Sequence, residues 1–215
     1  MMSTIERAEG YRLVSAALRY PDPAELRATF VEMAAAPGEL AGFGDLALLV
    51  DEHLPGEFNR LFATSVAVSP YQSSYIRVDK GSTLGQLAAL YAAFGVRAGG
   101  REHEIPDHAG VEAEFMATLA LMLGLAELEG RHEDAAVLAR AREVFAREHL
   151  GRWFVRFGEA LHAAALHPFY TRLGQLAAGW VAADLADHGW TTEAGPAPAP
   201  EPDGDEAIVC PVARA

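Results

Sequence analysis

Alanine dominates this chain, whereas the residues that favour β-strands are scarce. The sequence contains 42 alanines and only four isoleucines among its 215 residues. Alanine has the highest intrinsic helix propensity, and β-branched residues are enriched in strands. A chain of this length forms one domain or a compact pair and can bury a sizeable core. The composition therefore predicts an all-α fold before any periodicity is considered.

Apolar residues recur at spacings of three and four along most of the chain, which is typical of amphipathic helices. The strongest pattern opens at Pro106-Asp107-His108 and continues to about Glu129. Together with the other segments it predicts a single helical-bundle domain of about eight to ten helices over residues 1–190. The other predicted helices cover residues 3–20, 23–36, 45–53, 57–62, 82–94, 132–149, 153–164 and 168–190.

The composition changes abruptly after Trp190 to proline, alanine, glycine and acidic residues. Such a segment cannot bury enough apolar surface to offset its chain entropy. We therefore expect residues 191–215 to form a disordered, flexible, acidic tail. The sequence leaves open what the tail does, and whether its short apolar stretch Ile208-Val209-Cys210 docks on the domain.

The charge balance is strongly acidic, with 17 Lys and Arg against 30 Asp and Glu and a formal net charge of -13. Lys80 is the only lysine, which argues against a nucleic-acid partner and favours a basic one. The single cysteine, Cys210, excludes an internal disulfide framework. No apolar run of about 18 residues and no secretory signal pattern is present, so we expect a cytoplasmic protein without membrane insertion.

Motifs for enzymatic chemistry are weak. The sequence has no G-x-S-x-G nucleophile motif, and the glycine-rich turn at 81–85 is better interpreted as a helix cap than as a phosphate cradle. Helical bundles can bind two metals through paired Glu-x-x-His strings. Glu159 and His162 form one such string, but the other, Glu129 and His132, spans a predicted helix break. A metal-dependent helical enzyme using Glu159 and His162 remains one alternative.

A cluster of polar residues opens the strongest helix. Asp107 stands at the position of an N-cap, and His108 and Glu112 are four residues apart on one helical face. One interpretation is structural, with a capping aspartate, a solvated histidine and acids near the helix N-terminus. The other is functional: a histidine beside a carboxylate that changes charge near neutral pH.

Several strings occur in the order found in one family. They are Glu57-Phe58-Asn59-Arg60-Leu61-Phe62, the loop 69–75 (SPYQSSY), Pro106-Asp107-His108 with Glu112-Ala113-Glu114-Phe115-Met116, His149-Leu150-Gly151-Arg152-Trp153, and Pro168-Phe169-Tyr170. With these strings the chain resembles the TorD-like redox-enzyme maturation chaperones (TorD, DmsD and NarJ types). Ser69 and Gln72 depart from the family's P-P-Y-E loop, and the acidic tail has no counterpart in the pattern.

The resemblance implies a cytoplasmic chaperone without catalytic residues, metal or cofactor. Such proteins bind the N-terminal twin-arginine signal peptide of a molybdenum oxidoreductase of the dimethyl-sulfoxide-reductase class until cofactor insertion and export or assembly. Carboxylates beside an apolar surface suit an arginine-bearing peptide. The peptide-binding residues implied by the motifs, or added for their proximity to them, are Glu57, Leu61, Phe62, Pro70, Tyr71, Asp107, His108 and Glu112.

Some properties stay open at this level. A non-catalytic scaffold subunit is a further alternative to the chaperone and the metal enzyme. The sequence does not identify the client, does not decide whether molybdenum cofactor or guanine nucleotide is bound, and allows a monomer or a domain-swapped dimer.

Overall fold

Helices make up nearly all the regular structure of the protein. The structure is a computed structural model, and it describes residues 2–36, 38–77, 79–96 and 104–192. Within these residues there are no strands, eight α-helices of five residues or more and one of four, which confirms the all-α prediction. The helices are α1 Thr4–Ala17, α2 Pro23–Val31, α3 Ala41–Gly44, α4 Leu54–Phe58, α5 Lys80–Ala93, α6 Ala109–Leu128, α7 His132–Glu148, α8 Phe154–Ala164 and α9 Pro168–His188.

Helix caps decide where several helices start. Ser3 and Glu6 form the capping box expected at the start of α1. Two other starts differ from prediction: α5 is capped by Asp79 rather than by Ser82 or Thr83, and α6 by His108 rather than by Asp107. The helix predicted at 45–53 is only a 3-10 turn, Asp45–Leu49.

Helix α6 is the core helix of the bundle and packs between α1 and α7. It runs antiparallel to α1, since Thr4 bonds Glu127 at one end and Arg19 pairs with Glu114 at the other. By length and composition α6 is apolar enough to span a membrane, with a mean hydropathy of 1.5. However, 67% of that stretch is buried within the bundle, as expected for the core helix of a globular domain.

The last two long helices approach each other closely through glycine. A β-carbon on Gly158 would lie 2.8 Å from the carbonyl oxygen of Gly174, and one on Gly174 only 2.5 Å from that of Gly158. Side chains at either position would push α8 and α9 apart. The resulting contact fixes the position of the turn between these helices, whose main chain donates hydrogen bonds to Glu57.

A buried ion cluster joins α1, α7 and α9. The Asp184 carboxylate accepts hydrogen bonds from Arg7 and Arg142 at 2.7 Å and from the Tyr11 hydroxyl at 2.9 Å. All four side chains are almost completely buried. Buried charges are tolerated only when paired and hydrogen-bonded, so this cluster fixes how the three helices meet.

The predicted tail falls almost entirely outside the described residues. Only Thr191 and Thr192 of the expected segment 191–215 are described, and Cys210 is not. The boundary between a domain at 1–190 and a tail therefore stays a prediction.

Candidate functional site

An isolated antiparallel bridge joins the loop before α5 to the start of α6. Tyr71 and His108 are the paired residues. The Ala109 N–H donates to the Pro70 carbonyl at 2.7 Å, and the Gln72 N–H donates to the Asp107 carbonyl at 2.9 Å. The Tyr71 and His108 rings meet edge to face, with centroids 5.5 Å apart. Four predicted peptide-binding residues, Pro70, Tyr71, Asp107 and His108, are thus brought together.

His108 caps α6 and lies inside the protein. Its Nδ1 accepts a hydrogen bond from the Gly110 N–H at 3.1 Å, and the residue is 5% exposed. Burial lowers the pKa of His108 to about 4. The predictions that this histidine is solvated, or that it changes charge near neutral pH, are therefore wrong, because desolvation disfavours the imidazolium.

Asp107 is completely buried below the bridge. One carboxylate oxygen, Oδ2, accepts a hydrogen bond from the Ser73 N–H at 3.2 Å. The other oxygen, Oδ1, has no hydrogen-bond partner. A buried carboxylate oxygen without a partner is costly, and such atoms are rare in native structures.

Glu112 is also completely buried, one turn into α6. Its Oε2 accepts a hydrogen bond from the Trp153 indole at 3.0 Å, whereas its Oε1 has no partner. Burial, and secondarily the nearby charge of Asp107, raises the pKa of Glu112 well above its ordinary value. The structure places its carboxyl group inside the protein, facing the turn before α8.

Three buried side-chain oxygens without a hydrogen-bond partner belong to residues at the Tyr71–His108 bridge or in the first turn of α6. Besides Asp107 Oδ1 and Glu112 Oε1, the buried Oε1 of Gln72 lacks a partner, and Gln72 is bonded to Asp107 through its main chain. We name these three side chains the acceptor cluster. A group with several N–H donors and a positive charge is the chemical complement of such a cluster.

The other predicted carboxylate, Glu57, is engaged within the protein. It forms a bidentate ion pair with Arg60 at 2.7 and 2.8 Å. It also accepts hydrogen bonds from the main-chain N–H groups of Leu166 and His167, just before α9. These bonds, the Arg60 pair first, lower the pKa of Glu57. The side chain therefore fixes the α8–α9 turn, and this is the role the structure gives it.

Phe62 connects the Glu57 region with the acceptor cluster. It lies on a π-helical turn, Asn59–Ala63, a local irregularity that is frequent at functional sites. Leu61 on the same turn is fully buried in the core, whereas Phe62 is half-buried. Ring contacts run from Phe62 to Phe157 (6.5 Å), on to Tyr75 (6.3 Å) and then to Trp153 (5.3 Å), the partner of Glu112.

The sequence matches a known family over the region that contains most of these residues. Residues 21–159, almost two thirds of the chain, match the family described as nitrate reductase delta subunit. The chain belongs to this family. The assignment agrees with the predicted resemblance to the TorD-like chaperones.

Two characterised proteins support the same assignment. The selenate reductase assembly chaperone protein of Thauera selenatis is 31% identical over 79% of this chain and 84% of its own length. The chaperone protein TorD of Aeromonas salmonicida (strain A449) is 27% identical over 54% of this chain. The match spans about half, 52%, of the length of that TorD. Both names are those of chaperones, not of catalysts, in agreement with the prediction that the chain is not an enzyme.

Several residues of the site in this family member were not among the predicted ones. Trp153, Tyr75 and Gln72 all lie in the motif strings, but spacing along the chain does not show what they contact. Trp153 is 41 residues from its partner Glu112. Only the packing of α8 against the bundle brings the indole to the carboxylate.

The alternative of a metal enzyme gains no support from the described residues. Glu159 and His162 are exposed on α8, and His162 Nδ1 lies 3.1 Å from the Thr171 carbonyl oxygen. Within the part of the chain that the structure describes, no group of three or more His, Cys, Asp or Glu is placed to bind a metal ion.

Proposed function

We propose that the chain is a cytoplasmic, system-specific assembly chaperone. Its client is a molybdenum-containing oxidoreductase of the dimethyl-sulfoxide-reductase class, whose N-terminal twin-arginine signal peptide it binds until cofactor insertion and export or assembly. Family membership and the two relatives named as chaperones support this proposal. The observation that carries the peptide-binding step is the acceptor cluster below the Tyr71–His108 bridge.

An arginine side chain suits this cluster. Its guanidinium carries five N–H donors and a permanent charge, and hydrogen bonds to charged groups contribute about 1.5 to 3 kcal/mol each. The two carboxyl groups, Asp107 and Glu112, each have one unpartnered oxygen. A guanidinium between them would satisfy both oxygens and stabilise the ionised form of Glu112.

Entry requires the Tyr71–His108 bridge to open. Two main-chain hydrogen bonds close it, from Ala109 to Pro70 and from Gln72 to Asp107. An extended peptide offers replacement N–H and C=O groups for these bonds, as in strand addition. Tyr71 is only half-buried, and a cation, Lys80 Nζ, already lies 6.0 Å from the centre of its ring. The apolar part of the signal peptide would then contact Tyr71 and Phe62.

Calorimetric titration tests the proposal. The ligand is the synthetic N-terminal peptide of a molybdoenzyme encoded near this chain's gene, used with its arginine pair intact and with both arginines replaced by lysine. We expect the arginine peptide to bind, and Glu112→Gln to weaken it by about tenfold or more, equivalent to about 1.4 kcal/mol. The lysine peptide should bind more weakly than the arginine peptide, because an ammonium group cannot bond both carboxyls in a planar fork.

Glu114→Gln is the matched control. Glu114 lies on the same helix and undergoes the same loss of charge, but its side chain is 53% exposed and pairs with Arg19. Equal affinities of folded Glu112→Gln and Glu114→Gln proteins would contradict the role of the acceptor cluster. A failure of the wild-type protein to bind such peptides at all would overturn the proposed function itself.

A further inference from the structure

A groove lies between α1 and α6, away from the acceptor cluster. It has a volume of about 600 Å³. Small or apolar side chains form its floor, among them Ala8, Leu40 and Ala117, and each is less than 10% exposed. At one end of the groove, Ile5 and Leu121 are 38% and 46% exposed. An apolar groove of this size on a soluble protein indicates a contact with another segment of polypeptide.

A buried hydroxyl group in the groove points to the same conclusion. Ser15 lines the groove and is 2% exposed, yet its Oγ has no hydrogen-bond partner. A helical serine commonly bonds the carbonyl oxygen four residues before it. Because Ser15 does not, its buried hydroxyl would gain a partner if a small shift of the groove floor exposed it to a main-chain group of a segment lying there.

We propose that the occupant is the apolar stretch of this chain's own C-terminal segment, residues 207–212 (AIVCPV). Pro211 disfavours a helix there, so the stretch would bind in an extended conformation. Six extended residues span about 20 Å. From Ile5 to Arg19, the two ends of the groove on α1, a helix rises by about 21 Å. The lengths of the segment and of the groove therefore match.

Charge complementarity gives the segment a direction. Three acids, Asp203, Asp205 and Glu206, precede the apolar stretch, and Arg214 follows it. Along the groove, Glu6 lies near the Ile5 end. Arg19, whose exposed ion pair with Glu114 leaves its side chain 49% exposed, marks the opposite end, and Glu9 and Arg12 pair with each other between them. The acids therefore face Arg19 and Arg214 faces Glu6, so that the segment runs antiparallel to α1.

The connecting chain is long enough for this placement. The Pro-rich stretch from Thr192 to Ile208 reaches up to about 50 Å when extended. A helical bundle of this size has a radius of gyration of about 16 Å, so most of its surface is within that reach. The proposal is independent of the proposed function, because it concerns a different surface.

Cross-linking through the single cysteine tests the proposal in the full-length chain. A short bis-maleimide joins Cys210 to a cysteine introduced by Leu121→Cys at the groove. The control is Val137→Cys, on the outer side of α7, where the native valine is 62% exposed. We expect the monomeric cross-link to form about tenfold faster or more with Leu121→Cys, because docking raises the local concentration of Cys210 above that of a free tether.

A second variant separates docking from chance proximity. Adding Ile208→Asp and Val209→Asp to the Leu121→Cys protein should reduce the rate of monomeric cross-linking to that of the Val137→Cys protein. The helical circular dichroism should stay unchanged. Equal rates for Leu121→Cys and Val137→Cys would overturn the proposal. So would covalent dimers as the main product, which would assign the groove to a second copy of the chain.

Discussion

The Trp153 indole donates a 3.0 Å hydrogen bond to the Glu112 carboxyl group, and both side chains are buried. This contact connects the start of α6 to the turn before α8. It also leaves the second carboxyl oxygen of Glu112 without a partner beside Asp107. The buried ionisable side chains therefore make the stability of the protein depend on pH and on single residues.

Glu112 should make the folded protein less stable as the pH rises. Its folded-state pKa lies well above the ordinary value of 4.5, so the folded state holds the proton more tightly. Above about pH 4.5 the unfolded state releases this proton first, and the free energy of unfolding falls as the pH rises towards the folded-state pKa. Each unit of pKa difference amounts to about 1.4 kcal/mol. Glu112→Gln, which retains an acceptor for Trp153, should lack this dependence.

Urea unfolding of the wild type and of Glu112→Gln between pH 5 and 8 measures the effect. The variant should gain stability relative to the wild type as the pH increases. A difference between the two proteins that is constant over this range would show that Glu112 is already ionised in the folded protein.

His108 should change the stability in the opposite direction, making the folded protein less stable as the pH falls. Its pKa is about 4 in the folded state against an ordinary value of 6.5, so the unfolded state binds more protons between these values. The free energy of unfolding therefore falls as the pH is lowered from 6.5 to 4, by about 3 kcal/mol. Asparagine also caps helices well, so His108→Asn should keep the cap but lose this pH-dependent fall in the free energy of unfolding.

The comparison of His108→Asn with the wild type isolates this histidine, since His149, whose pKa burial also lowers to about 4, is present in both proteins. Acid unfolding followed by circular dichroism gives the two slopes. Parallel loss of stability in both proteins from pH 7 to 4 would argue against a neutral, buried His108.

Removing the central carboxylate of the ion cluster should strongly destabilise the fold. Asp184→Ala leaves the buried Arg142 without its carboxylate partner and Arg7 with only Asp187, and breaking buried pairs in this way costs about 3 to 5 kcal/mol. The control is Asp187→Ala, because Asp187 also pairs with Arg7 but is 36% exposed. Its loss should cost much less, because water screens an exposed ion pair. Similar unfolding midpoints of the two variants in urea would contradict this assignment.

Two glycines of α9 should respond oppositely to alanine. Gly174→Ala places a methyl group 2.5 Å from the Gly158 carbonyl oxygen, so α8 and α9 must separate and stability should fall. Gly179→Ala meets nothing within 4 Å and should stabilise the helix by about 0.5 to 1 kcal/mol. Thermal unfolding of both variants tests the pair; a melting temperature that rises in both would show that the α8–α9 contact is loose.

The sequence predicted the helical elements well where periodicity and capping agreed. Helices α7, α8 and α9 begin within a residue of their predicted starts, and the capping box of α1 is present as expected. The prediction was poorer where short segments lack a full apolar stripe, as at Asp45–Leu49. Over so few residues, the sequence of a 3-10 turn shows the same apolar pattern as that of an α-helix, and only the packing of the segment selects between the two.

The candidate site shows the limit of sequence reasoning more sharply. The motifs placed Pro70 and Tyr71 in one predicted site with Asp107 and His108, and the structure brings these residues together although Tyr71 and Asp107 are 36 positions apart in the sequence. They did not indicate that the carboxylates of this group lie inside. A buried acid and a solvated acid at a helix start have the same local pattern, because burial depends on residues contributed by distant segments.

Composition and periodicity by themselves determined an all-α, acidic chain, and the motif strings pointed to its chaperone family. Tertiary structure alone decided that Glu57 braces the α8–α9 turn, that His108 caps α6 as a neutral imidazole, and that Glu112 meets Trp153. The reason is physical: helix formation depends on neighbours within about four residues. The protonation and exposure of a side chain depend instead on whatever the fold packs around it.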